Sequence, residues 1–330
     1  MRPAPESELP RTPPELSPIR VLPTSRAGSD ERRASDRAPY WMIAPFFLLA
    51  VVFELYVLLS GVRLAFTDAF GVGWGSFVGL SNFWRLLWAD PYESIELRRV
   101  VGITFAFTAA SVVAQVPVAL GLSVLLDRVP FPRVKAFFRA AFLVPILINS
   151  MTTAMLFTIA FLREGALNQV LGLLGLPNGI DWLSDSNYTM ALLVLVSTWR
   201  SVGFLAVVFL GQLQTVDPAL YEAARLEGAS SWTTFFRITL PLLRPGVTFC
   251  VVTVTTGALQ MFDIPFVLFR VPFGPGGKAK TLVGYVYDLA FQSRFDTGLA
   301  SAAGWLIFAV VLAVSMIQLR VLGLGKQDEV

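Results

Sequence analysis

The sequence predicts an all-α membrane protein built from six transmembrane helices, and three observations carry that prediction. Hydrophobic residues make up 55% of the 330-residue chain and charged residues only 15%, against roughly 25% charged in soluble domains. Mean hydropathy is +0.65. Apolar stretches recur at about 41–66, 100–126, 137–161, 190–211, 246–268 and 298–322. Each reaches the ~20 residues that a helix needs to cross ~30 Å of hydrocarbon. They are continuous runs, unlike the in–out alternation of barrel strands. Prolines and glycines inside them (Pro45, Pro117, Pro145, Gly203, Pro265) are tolerated in membrane helices.

The composition also removes function classes. The chain has no histidine, so imidazole zinc sites and Ser-His-Asp triads are absent. One cysteine, Cys250, allows no internal disulfide or redox pair. A net charge of +3 is too small and dispersed for a nucleic-acid partner. No glycine-rich phosphate loop ending in Lys-Ser/Thr occurs, so the chain does not hydrolyse ATP by itself.

Residues 1–40 hold eight prolines, seven arginines and six acidic residues, with no apolar run long enough to pack. This composition predicts a disordered tail. The transmembrane domain then occupies 41–330. Counting Lys and Arg over alternate loops gives 16 on the side of the N-terminus and 8 on the other. Basic residues accumulate on the cytoplasmic side, so both termini are expected there, in a multi-pass protein of the cell membrane.

The segment between the fourth and fifth spans, 216–245, reads as a structured element. Asp217-Pro218 supplies an N-cap followed by proline at the first helical position. Good helix formers run to Glu227, Gly228 can take a left-handed turn, and Ser230 or Ser231 can cap a second helix through Ile238 that ends near Pro241. By pattern alone, this helix–turn–helix could also be an amphipathic hairpin lying on the membrane.

Its residues resemble a known family. The string EAARLEGASSWTTFFRITLP, Glu222 to Pro241, is similar to the EAA loop of importer permeases of the ABC (ATP-binding cassette) family. That signature is EAA, three residues, Gly, nine residues, Ile, any residue, Leu-Pro. It falls here on Glu222, Ala223, Ala224, Gly228, Ile238, Leu240 and Pro241 with every spacing matched. Glu227 departs from an aspartate common in sugar permeases. Phe77–Leu87, Gly165–Gly175, Trp199–Gly203 and Phe291–Ala303 also resemble maltose- or glycerol-3-phosphate-type sugar permeases. Phe262-Asp263 followed by Gly274–Gly277 does so too, with the order of Gly and Pro altered. The resemblance implies a type I importer permease bundle whose EAA helices couple to an ATPase. It implies a transport subunit without catalytic residues or cofactor, ATP being bound by a partner. The implied partners are a second permease in a heterodimer, two cytoplasmic ATPases, an extracytoplasmic solute-binding protein and a sugar-like solute.

Charges within spans are costly and mark function or pairing. Glu54, Arg200 and Asp263 are of this kind, and Arg200 could answer either carboxylate. In the fifth span, Thr256, Gln260 and Asp263 stand at i, i+4 and i+7, one stripe of a helix. Such a stripe suits a wet solute path or a seam against a partner. The resemblance favours the path, with Gly203 near it. The competing class is an ion-coupled secondary transporter, which would favour inverted repeats and discontinuous helices. Neither is visible in the sequence.

Overall fold

The computed structural model describes residues 38–292 and 295–321. The expected tail therefore falls almost wholly outside the described residues, as does the end of the chain beyond Val321. Apart from one bridge between Thr67 and Phe77, the regular structure described is helical.

The chain divides into a unit ending at Leu58 and a larger one from Leu59 onward. The first contains most of α1 (Tyr40–Ala65), which includes a π-helical turn at Val51–Leu55. Its large side chains are exposed: Trp41, Met42, Phe46 and Phe53 all face outward. That suits a helix whose solvent is lipid. Glu54 is exposed within the π turn.

In the larger unit, α2 (Ser81–Trp84) continues into a π-helical turn, Arg85–Ala89. The long α3 (Pro91–Asp127) follows. Asp90 caps α3, its carboxylate accepting from the Tyr92 and Glu93 amides, with Pro91 at the first helical position. This cap starts the helix nine residues before the apolar stretch that betrays the span. At 1.5 Å per residue, α3 is about 55 Å long, well beyond the hydrocarbon thickness. Thr189–Leu213 (α7) and Thr297–Val321 (α13) match their expected spans to within a few residues.

Two expected spans contain breaks that a continuous helix would not have. The stretch 137–161 is α4 (Pro132–Leu147) and α5 (Ser150–Ala160), meeting at 96°. Pro145 has no N–H to return to the preceding turn, Ile148 is extended, and Asn149 caps α5 by accepting from the Met151 amide at 2.9 Å. The stretch 246–268 is α10 (Arg244–Leu259) and α11 (Asp263–Val267), separated by a non-helical Gln260–Phe262. Discontinuous helices are thus present. Between these parts lie α6 (Ala166–Leu173), α8 (Pro218–Leu226) and α9 (Ser231–Leu242). The short α12 (Leu282–Tyr287) continues into a π-helical turn, Asp288–Gln292.

The central packing is α3 along α7 and α10. One core cluster joins the start of α3 to α12 and α13 through Val100, Tyr285 and Leu299. A second sits around the helix breaks, with Phe107, Ala154, Leu193 and Ile264. The third joins the ends of α3 and α7 to α10 through Ala119, Phe209 and Leu243. Gly203 sets the approach of α7 to α4, because a Cβ there would run into the Phe142 backbone.

Candidate functional site

The 216–245 segment folds as its residues dictate. Asp217 Oδ1 accepts from the Ala219 amide at 2.9 Å and starts α8. Gly228, at φ +77°, ends it. The Ala229 amide donates to Ala224 O at 2.9 Å and the Gly228 amide to Arg225 O at 3.1 Å. These are the two bonds of a Schellman cap. Ser230 Oγ then accepts from the Thr233 amide at 3.2 Å and starts α9. Tyr221 Oη and Thr239 Oγ1, 3.3 Å apart, tie the helices together.

Within this element Ala224 is buried, whereas Glu222, Ala223 and Gly228 are exposed. Glu222 forms no ion pair among the described residues. Ile238, Leu240 and Pro241 are half-buried. The outer surface is apolar to a degree the sequence reading did not anticipate. Leu226 is 90% exposed and Trp232 73%, with Trp232 stacked on Phe236 at 5.8 Å. These side chains leave apolar surface uncovered on the element.

The second feature is a cavity of about 400 Å³ where the two helix breaks meet. The 96° bend delivers Ser150 to the start of α11, and its hydroxyl donates to Asp263 Oδ2. Thr158 Oγ1 donates to Leu268 O at 2.9 Å and fixes the same pair of elements. Irregular backbone at membrane depth is sustainable where it lines a cavity or is packed in protein. Around the cavity stand Ser111 and Gln115 of α3, Ser197, Arg200 and Ser201 of α7, and Thr253, Gly257, Gln260 and Asp263.

Gln260, Asp263 and Arg200 therefore come together, whereas Thr256 does not line the cavity. The i, i+4, i+7 stripe fails because α10 ends at Leu259; Thr253 and Gly257 face the cavity instead. Gly203 is a packing contact between α7 and α4 rather than a lining residue. Arg200 forms no ion pair among the described residues, and its Nε is buried without a hydrogen-bond partner. The Asp263 carboxylate accepts from Ser150, and no Arg200–Asp263 ion pair is formed among the described residues.

Ser111, Gln115 and Ser197 escaped the sequence reading. They are 0%, 4% and 2% exposed, and the Ser111 and Ser197 hydroxyls have no hydrogen-bond partner among the described residues. Such groups cost about 1–3 kcal/mol each unless water or a solute satisfies them. The i, i+4 spacing of Ser111 and Gln115 in an apolar run was the available signal.

A cavity with polar lining at broken helices, beside a capped element presenting apolar side chains, suits a membrane transport subunit. The chain belongs to the family of binding-protein-dependent transport system inner membrane components, whose model matches residues 115–324. It is 31% identical over 298 residues to the lactose transport system permease protein LacF of Rhizobium radiobacter, covering 89% of this chain and 96% of that one. It is 33% identical over 294 residues to the arabinooligosaccharides transport system permease protein AraP of Bacillus subtilis (strain 168), covering 88% and 90%. In fold it resembles a chain of a bacterial ABC transporter involved in the import of the acidic polysaccharide alginate. There the TM-score is 0.76 at 22% identity, covering 92% of this chain and 100% of that chain. The chain is thus a permease subunit of a binding-protein-dependent ABC importer, a component of the inner membrane.

Proposed function

We propose that this subunit carries a saccharide or related polyol through the cavity at its helix breaks. The observation that carries this reading is the cavity's lining. Unpartnered hydroxyls at Ser111 and Ser197, the Gln115 and Gln260 amides, Arg200 and Asp263 offer donors and acceptors against apolar walls. A solute rich in hydroxyl groups matches that mixture of few polar groups in an apolar pocket. The relatives, permeases of lactose and arabinooligosaccharide transport systems, support the same solute class.

In this reading the chain pairs with a second permease and two cytoplasmic ATPases, and it receives solute from an extracytoplasmic binding protein. Both termini and the α8–α9 element lie in the cytoplasm, and ATP is bound by the ATPases. Closure of the ATPase pair moves the docked α8–α9 element as a rigid body, and the cavity opens alternately to the two sides. Glu222 and the Leu226, Trp232 and Phe236 side chains make the ATPase contact.

Reconstitution of the chain with its genomic neighbours in proteoliposomes tests this. Uptake of labelled lactose or arabinotriose should require both ATP and the binding protein. Uptake driven by a sodium or proton gradient without ATP would overturn the importer mechanism in favour of an ion-coupled carrier.

A further inference from the structure

Four aromatic rings lead away from the cavity. Phe262 lines it and stacks on Phe266 with centroids 5.2 Å apart and planes at 20°. The Tyr287 ring lies 5.0 Å from Phe262 and 5.1 Å from Phe266. Phe291, one helical turn further along, lies 5.3 Å from Tyr287. The rungs come from two stretches of chain, 262–266 and 287–291, brought side by side by the loop between them.

These rings are not ordinary core. Phe273, packed against Phe262 and Phe266, is 2% exposed, and Tyr285 is buried with its hydroxyl donating to Glu93. The ladder itself is open. Phe262, Phe266 and Tyr287 are half-buried, and Phe291 is 63% exposed. The Tyr287 hydroxyl makes no hydrogen bond among the described residues. Beside the ladder, Lys280 Nζ stands 3.0 Å from Asp288 Oδ2 and 3.3 Å from Glu96 Oε1.

We infer that Phe291, Tyr287, Phe266 and Phe262 form a stacking track along which a sugar ring passes between the extracytoplasmic side and the cavity. This inference rests on the saccharide reading above. The C–H face of a sugar ring is apolar and slightly positive, matching the negative face of an aromatic ring. Its hydroxyls project at the ring edge, towards the Tyr287 hydroxyl and, at the mouth, towards Gln260 and Asp263. Continuity with the cavity selects the occupant: the innermost rung, Phe262, is itself a cavity wall. Stacking demands no single hydroxyl arrangement, so the track serves passage while the polar cavity discriminates.

The test compares the reconstituted complex with Tyr287→Leu, Phe291→Leu and Tyr287→Phe, using labelled lactose and maltotriose. Leucine retains apolar bulk and removes the ring face. Uptake by each leucine variant should fall about fivefold, the scale of a lost aromatic contact. Binding-protein-stimulated ATP hydrolysis should stay within about twofold of the parent, so fewer solutes move per ATP. Tyr287→Phe should retain uptake. Leucine variants that transport like the parent, or that lose uptake and ATP hydrolysis in parallel, would reduce the ladder to packing. A Tyr287→Phe loss as large as that of Tyr287→Leu would also overturn the stacking role. A parent complex that moves neither saccharide would instead sink the saccharide reading and the track with it.

Discussion

Replacing Gly228 separates the backbone of the α8–α9 element from its side chains. Gly228 sits at φ +77° in the Schellman cap, and a Cβ built there meets no atom within 4 Å. Within the chain, Gly228→Ala therefore adds no clash, only the cost of a left-handed backbone for an L-residue, roughly 1–2 kcal/mol. Reduced freedom of the unfolded chain offsets about 0.4–1 kcal/mol of that. A net strain near 1 kcal/mol lowers the equilibrium constant for the docking-competent turn about fivefold. Asparagine tolerates this backbone region and should cost little, whereas valine, branched at Cβ, should cost most. Co-purification of the ATPase with each variant, alongside solute uptake, reads the series. Retention should rank Asn, then Ala, then Val, with all three inserting normally because the turn is remote from the spans. Equal, undiminished uptake across the series would refute the assignment of this turn to coupling. An equal loss in all three would replace backbone strain with a steric clash against the partner.

Three further outcomes are expected. Ser150→Ala removes a hydrogen bond to a carboxylate, worth about 1.5 kcal/mol, and should cut uptake about tenfold; Asp263→Asn should alter solute preference, and unchanged transport in both would leave the bond a packing contact. Lys280→Met should lower Tm by about 2–4 °C, because it removes the ammonium that bridges Glu96 and Asp288. Burial alone would pull the Lys280 pKa down, but the hydrogen bonds and charges of Asp288 and Glu96 outweigh it and hold the pKa above the ordinary lysine value. This contribution is therefore complete at neutral pH and lost only as alkaline pH passes through the raised pKa; a Tm of the Lys280→Met protein equal to the parent's at pH 7 would contradict it. Deleting residues 2–35 should leave uptake near that of the full chain, given their proline-rich composition; loss of uptake from a stably inserted protein would show a role for them.

Where the sequence was legible, the signals were local and chemical. Asp217-Pro218, Gly228 and Ser230 each act on their neighbours, and the resulting element has the bonds their side chains and backbone preferences require. The helix breaks were not legible for a physical reason. Proline is common inside membrane helices, so Pro145 did not mark the 96° bend at Ile148–Asn149. The Gln260–Phe262 break contains neither glycine nor proline, and an assumed helical period across it misplaced Thr256. Isolated hydroxyls were equally ambiguous. Thr104 and Thr108 return their hydroxyls to carbonyls one turn back, at 2.8 and 2.7 Å, whereas Ser111 in the same helix does not. Only the packing of α3 against α7 distinguishes them.

The claim that solute crosses at the helix breaks by alternating access meets its most direct test at Gln260, an exposed cavity residue at the end of α10. In a Cys250→Ser background, a Gln260→Cys complex is exposed to a membrane-impermeant maleimide, with and without a non-hydrolysable ATP analogue. Labelling from the binding-protein side should rise when the nucleotide holds the ATPases closed, and transported saccharide should slow it. Labelling that ignores both nucleotide and saccharide would contradict the account.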